Sequence, residues 1–170
     1  MSCLGVGRKQ EGTVYLESSI SHSQDAGVAG RALTALVHAA VEEGNFYQAE
    51  HHISRVAKLQ LDGRQFVHLQ VFVEGVNDLI KKRNGPALKG LQKALELSED
   101  RQSKEKQELR RMIEPYLAYA MYLNGQLRQS HEIYTRLVEG GREEYRHEQQ
   151  VIQGLYEHEQ KHYPIACRHF

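Results

Sequence analysis

Ten histidines in 170 residues are the first side chains here with the makings of a chemical site. His158 and His162 lie four apart, a spacing that sets two imidazoles on one face of a helix and lets them share a metal ion. Cys167 and His169 follow closely. Against a metal site, Tyr163-Pro164 turns the chain between the two pairs, and no Cys-x-x-Cys is present. The stretch HEQKH also lacks the arrangement of a zinc-protease helix. The expectation is therefore no bound metal, with these histidines on the surface and His51-His52 solvated on different sides of another helix. A nucleophilic site would need Ser or Cys beside His and an acid, and no Gly-x-Ser-x-Gly elbow occurs. GVGRKQEG at 5–12 is no phosphate loop, because it lacks the Gly-Lys-Ser/Thr ending and a preceding strand. We expect no enzyme activity and no cofactor.

Charge and composition narrow the classes further. Lys plus Arg and Asp plus Glu number 22 each, so the formal net charge is zero. Non-specific nucleic-acid binding draws most of its affinity from excess positive charge, so this balance argues against nucleic acid as a partner. A local patch of Lys81, Lys82, Arg83, Arg110 and Arg111 keeps RNA as the weakest of the readings. The two cysteines, Cys3 and Cys167, do not resemble a disulfide framework and point to a reducing, cytoplasmic location. MSCLGVGRKQEG has no apolar core of signal-peptide length, and the longest mostly apolar run, residues 32–41, is too short to span a bilayer. The expectation is an intracellular protein with no membrane association.

Any site must be positioned by helices. Apolar residues recur at three-to-four spacing in seven consecutive segments with breakers between them. Leu33, Leu36, Val37 and Ala40 mark the first, which ends at Glu42-Glu43-Gly44-Asn45. Ala49, Ile53, Val56 and Ala57 mark the next, which stops near Leu61-Asp62-Gly63. A third starts at about Arg64 and carries Phe72, Val76, Leu79 and Ile80 on one side, ending in Lys81-Lys82-Arg83. Pro86 suits the first turn of a fourth, with Ala87, Leu91, Ala94 and Leu95 on its face. A polar helical run begins at Ser103, and Pro115 either kinks it or starts a new helix. Asn124-Gly125 folds Leu117, Ala118 and Met121 back onto Ser130, Ile133, Tyr134 and Leu137, because Gly reaches positive φ without steric cost. Gly140-Gly141 ends that hairpin. A last full helix carries Val151, Ile152, Leu155 and Tyr156, and Tyr163-Pro164 opens an eighth. Residues 1–12 read as disordered or an arm. Residues 13–26 read as a short helix or the end of an earlier unit, so 1–26 forms an arm or partial helix and 27–170 the helical domain.

The second helix of each pair carries a small residue at Ala49, Ala87, Ser130 and Ala166, with spacings of 38, 43 and 36 residues. Four positions on comes a larger one: Ile53, Leu91, Tyr134 and Phe170. Periods of this size indicate stacked two-helix units. GNFYQAEHHI at 44–53, GQLRQSHEIY at 125–134 and ALKGLQKALEL at 87–97 resemble the core steps of the tetratricopeptide repeat family. The resemblance covers residues 28–170 and implies an all-α fold, a right-handed α-solenoid of about three and a half to four TPR-like helix-turn-helix repeats. Units longer than the family's usual length of about 34 residues, the missing first-helix Trp and the missing terminal Pro imply longer helices and irregular linkers.

What the resemblance implies for function is a protein-interaction scaffold that binds a peptide or partner helix in a concave groove lined by first helices, as part of a larger assembly. Arg31, His38, Gln70, Asn77, Lys81, Tyr119 and Tyr122 fall toward that inner side and form the expected partner-binding set. Only Arg31, Asn77 and Lys81 have the chemistry of the family's clamp for chaperone C-termini, and they do not reproduce it. A sensor or regulatory domain binding a small molecule or short peptide between repeats is the alternative. The C-terminal end, where the short eighth helix leaves Val151, Ile152 and Leu155 poorly covered, is a candidate for self-association.

Overall fold

A computed structural model describes residues 3–22, 25–58, 67–99 and 103–169. Among the described residues the chain is all-helical, with no strand. Nine α-helices are described: α1 Cys3–His22, α2 Ala26–Glu42, α3 Phe46–Lys58, α4 Val67–Ile80, α5 Asn84–Ser98, α6 Ser103–Leu123, α7 Leu127–Glu139, α8 Arg146–Glu159 and α9 Tyr163–Ala166. A 3-10 turn, Glu143–Tyr145, leads into α8. No described helix is long and apolar enough to cross a membrane.

The contacts divide the chain into two compact units, Met1–Val73 and Glu74–Phe170, and the division falls inside α4. In the first unit α1 packs on α2 and α2 on α3. Leu33, Leu36, Val37 and Ala40 of α2 are buried, joined by Ile20, Phe46, Ala49, Leu69, Phe72 and Val73. Phe46 meets Phe72 edge-on at 6.4 Å between ring centres. Asn45 and Gln48 close the start of α3 reciprocally: the Gln48 N–H donates to Asn45 Oδ1 at 3.1 Å, and Asn45 Nδ2 donates to Gln48 Oε1 at 3.0 Å. The first of these satisfies an N–H group that the first helical turn leaves without a partner, and the second holds the two side chains together.

In the second unit each helix from α5 to α9 packs on the next in the chain. Leu91, Leu109, Ile113, Leu117, Ala118, Ile133, Leu137 and Ile152 supply its apolar interior. Gly75 lets α4 approach α5 closely, since a Cβ there would lie 3.0 Å from Leu91 Cγ and 3.2 Å from the Leu91 backbone nitrogen. Ser130 sits fully buried where α7 crosses α6, and its hydroxyl donates to the Ala118 carbonyl at 2.7 Å.

The small residues expected at close helix crossings, Ala49, Ala87, Ser130 and Ala166, are all buried. Leu91 and Tyr134, four positions on, are buried as well, and Ile53 is half-buried. Five residues before each small one, the backbone adopts positive φ: Gly44 at 71°, Lys82 at 58°, Gly125 at 75° and Lys161 at 61°. The same two hydrogen bonds close each turn. Gly44 donates to Val41 and Asn45 to Ala40; Lys82 to Leu79 and Arg83 to Asp78; Gly125 to Tyr122 and Gln126 to Met121; Lys161 to His158 and His162 to Glu157. This is the left-handed helix stop in which two consecutive residues past the C-terminus return their N–H groups to the last carbonyls. Gly141, at 88°, makes a fifth before the 3-10 turn.

Three expectations change. The stretch 1–12, read as disordered or an arm, is helical from Cys3 onward, because Arg8, Lys9, Gln10 and Glu11 are good helix formers and α1 continues through them to His22. Ile80, placed on the packed side of its helix, is 65 % exposed; the buried stripe is Leu69, Phe72, Val73 and Val76, and Ile80 falls beyond it on the last residue of α4. Of the two readings of Pro115, the start of a new helix is overturned, for α6 continues as one helix through it from Ser103 to Leu123. The helix stop at Leu61-Asp62-Gly63, the helix start at Arg64 and the bulky position Phe170 lie outside the described residues.

Candidate functional site

Tyr119 and Tyr122 project from the second half of α6, where Leu117, Ala118 and Ala120 are buried. Tyr119 is 46 % exposed, Tyr122 is half-buried, and their rings lie 6.2 Å apart, tilted by 34°. A pair of phenol rings held side by side offers apolar faces with polar tips, a surface that stays wetted when free and can be buried on binding. Among the expected partner-binding residues, Asn77 is half-buried on α4 and Lys81 exposed just past its end, both in the same unit as the tyrosines. Arg31 on α2 is exposed, His38 on α2 half-buried and Gln70 on α4 exposed, and these three belong to the first unit. The ring contact between Tyr119 and Tyr122 is thus an association within the set that the geometry establishes.

Farther back along α6 lies a network that sequence reasoning missed. Pro115 has no N–H, so the Arg111 carbonyl one turn earlier lacks its helical donor. Arg142 Nη1 supplies one at 2.6 Å, from the loop after α7. The same guanidinium donates through Nε to Glu144 at 2.9 Å and through Nη2 to the Tyr145 hydroxyl at 3.1 Å, and its carbon stands 4.7 Å from the Tyr145 ring centre. The Tyr134 hydroxyl points at the Pro115 carbonyl, at 3.4 Å. Burial pushes the Tyr134, Tyr116 and Tyr145 phenols upward, so these rings stay neutral. Beside them Glu114 is almost fully buried, with Arg136 Nη2 at 3.0 Å and Arg110 Nη2 at 3.5 Å from its Oε1. Arg111, Glu114, Arg136, Leu137, Gly140 and Arg142 line a cleft of about 380 Å³. A proline inside a helical pattern was the signal available in the sequence. It announced an orphan carbonyl, but nothing local pointed to an arginine 31 residues away.

Two residues of the basic patch are paired with carboxylates. Arg83 pairs with Asp78 at 2.6 Å, and Arg110 lies 3.4 Å from Glu99 as well as beside Glu114. Among the histidines, His51 is exposed as expected, but His52 is buried, correcting its reading as a surface residue. It lies on the packed side of α3, where Arg55, one turn along, donates to both oxygens of Glu17 from α1, at 2.8 and 2.7 Å. His52 Nδ1 stands 3.7 Å from Glu17 Oε1 and has no hydrogen-bond partner. Burial holds the His52 pKa below the usual histidine value, with Glu17 opposing and Arg55 and His51 reinforcing. At the other end His162 Nδ1 lies 3.0 Å from Glu157 Oε2. No group of three His, Cys, Asp or Glu side chains among the described residues is placed to hold a metal ion. No protein-family model matches the chain, and neither the curated proteins nor the solved structures yield a match.

Proposed function

We propose that this chain is a non-enzymatic interaction module: a TPR-like stack of helical hairpins that presents a binding face for a peptide or partner helix. Among the described residues the most extensive helix packing is between neighbours in the chain, which supports the stack, as does the recurrence of one turn five residues before each buried small side chain. In this reading α6 is the first helix of its pair and carries the ligand face of the second unit. The observation that carries the proposal is the Tyr119–Tyr122 pair, aromatic, mutually supported and partly exposed, on a helix that also carries buried core residues. Tyrosine is favoured among the few residues that dominate interface energies. The supporting pairs at Arg83 and Arg110 disfavour the RNA alternative, since their charge is already met by carboxylates.

The test is selection of binding peptides from a random library against the wild-type protein, followed by titration of the selected peptides into Tyr119→Ala/Tyr122→Ala. The expected result is a loss of more than about 2 kcal/mol in binding free energy with an unchanged melting temperature. Normal binding by the folded double variant would remove these tyrosines from the binding face, and unfolding would make them core residues.

A further inference from the structure

The cleft between α6 and α7 is a second place where a ligand fits, on different residues from the tyrosine pair. Its ionisable lining is three guanidiniums, Arg111, Arg136 and Arg142, against one carboxylate, Glu114. Since the chain's formal net charge is zero, that excess of positive charge is local. Glu114 is already met by Arg136 and Arg110, so it does little to repel an incoming anion. The three arginines differ in how far they are committed. Arg142 uses three of its five N–H groups on Arg111, Glu144 and Tyr145, which fixes the guanidinium in place and leaves two N–H groups. Arg136 gives one N–H to Glu114 and is otherwise more than half exposed. The Arg111 guanidinium is exposed and has no hydrogen bond or ion pair to any described residue.

We propose that this cleft binds the carboxylate side chains of an acidic peptide segment. Guanidinium and carboxylate match as planar, two-pronged donors and acceptors, and Leu137 gives the methylenes of a glutamate an apolar wall. Nucleic acid fits less well. A phosphate backbone needs a track of cations, whereas the charges flanking this confined site include Glu99, Glu114 and Glu144.

The experiment is fluorescence anisotropy of a labelled, end-blocked hexaglutamate peptide at low ionic strength, with hexaglutamine as control. Saturable binding at least about tenfold tighter than the control is expected. Arg111→Gln should weaken it about fivefold or more, Arg111→Lys should recover part of the loss, and neither should shift the melting temperature, because the Arg111 side chain has no hydrogen bond or ion pair to any described residue. Tyr119→Ala/Tyr122→Ala should leave hexaglutamate binding unchanged, so failure of this site and failure of the tyrosine face are separable. The proposal is overturned by absence of saturable binding, by equal binding of hexaglutamine, or by no effect at Arg111. Tighter binding of oligouridylate would reassign the cleft to nucleic acid, and equal competition by inorganic phosphate would reduce it to a small-anion site.

Discussion

Lys82 and Lys161 hold a backbone conformation that costs an L-residue about 1–2 kcal/mol, at φ of 58° and 61°. Gly44 and Gly125 occupy the equivalent position without that cost. Lys82→Gly should therefore raise stability, by about 0.5–1 kcal/mol once the greater unfolded-state freedom of glycine is allowed for. Gly125→Ala should lower it by about 1–2 kcal/mol, although no atom lies within 4 Å of the added Cβ, so strain and not crowding sets the loss. Denaturant midpoints of the three proteins check both signs, and a lower midpoint for Lys82→Gly would contradict the account. His52 makes a second residue-scale prediction. Its folded pKa lies below the ordinary 6.5, so the unfolded chain binds more protons there and stability rises with pH. The contribution is intact above the unfolded value and is lost as pH falls through it toward the lower folded value. His131, whose pKa burial also lowers, acts in the same direction. Thermal melts at about pH 7.5 and about pH 5.5 should show a smaller drop for His52→Gln than for wild type; equal drops would acquit His52.

At the scale of elements, α6 survives an internal proline because another part of the chain completes its ladder. The double-mutant cycle follows from that. Arg142→Met should cost about 1 kcal/mol or more, since a carbonyl loses its charged donor. In a Pro115→Ala background the restored N–H serves Arg111, and the cost of Arg142→Met should shrink; strict additivity would mean that Arg142 acts through Tyr145 and Glu144 alone. The same comparison shows what the sequence discloses. Asn124-Gly125 and Gly140-Gly141 announce their turns because glycine is the residue that reaches positive φ freely. The turns at Lys82 and Lys161 carry no such mark, for lysine tolerates the conformation only because the flanking helices impose it. Helix periodicity placed α2 to α8, and small residues marked the crossings. The glycines of the first twelve residues hid the start of α1, and the arginine cleft was illegible because its members meet only through packing of α6 on α7. The tyrosine pair was legible because both members sit on one helix, three residues apart.

For the molecule as a whole, the boundary between the two units runs through α4 after Val73. A helix that belongs half to one core and half to another should not open as one piece, because local stability follows the contacts that each segment makes. Native-state hydrogen exchange should show the amides of 69–73 opening with α2 and α3, and those of 76–80 with α5 and α6; a single opening free energy along α4 would join the units into one cooperative body. The recurring turns have a consequence of another kind. Since each closes with the same pair of backbone hydrogen bonds, and glycine and lysine both occupy its left-handed position, the corners are interchangeable parts. One can be exchanged for another without altering the direction in which the chain returns. A protein jointed this way can lengthen or shorten by whole hairpins through duplication or deletion, each copy arriving with its own working corner, so chain length becomes something evolution can vary while the local architecture stays as it is.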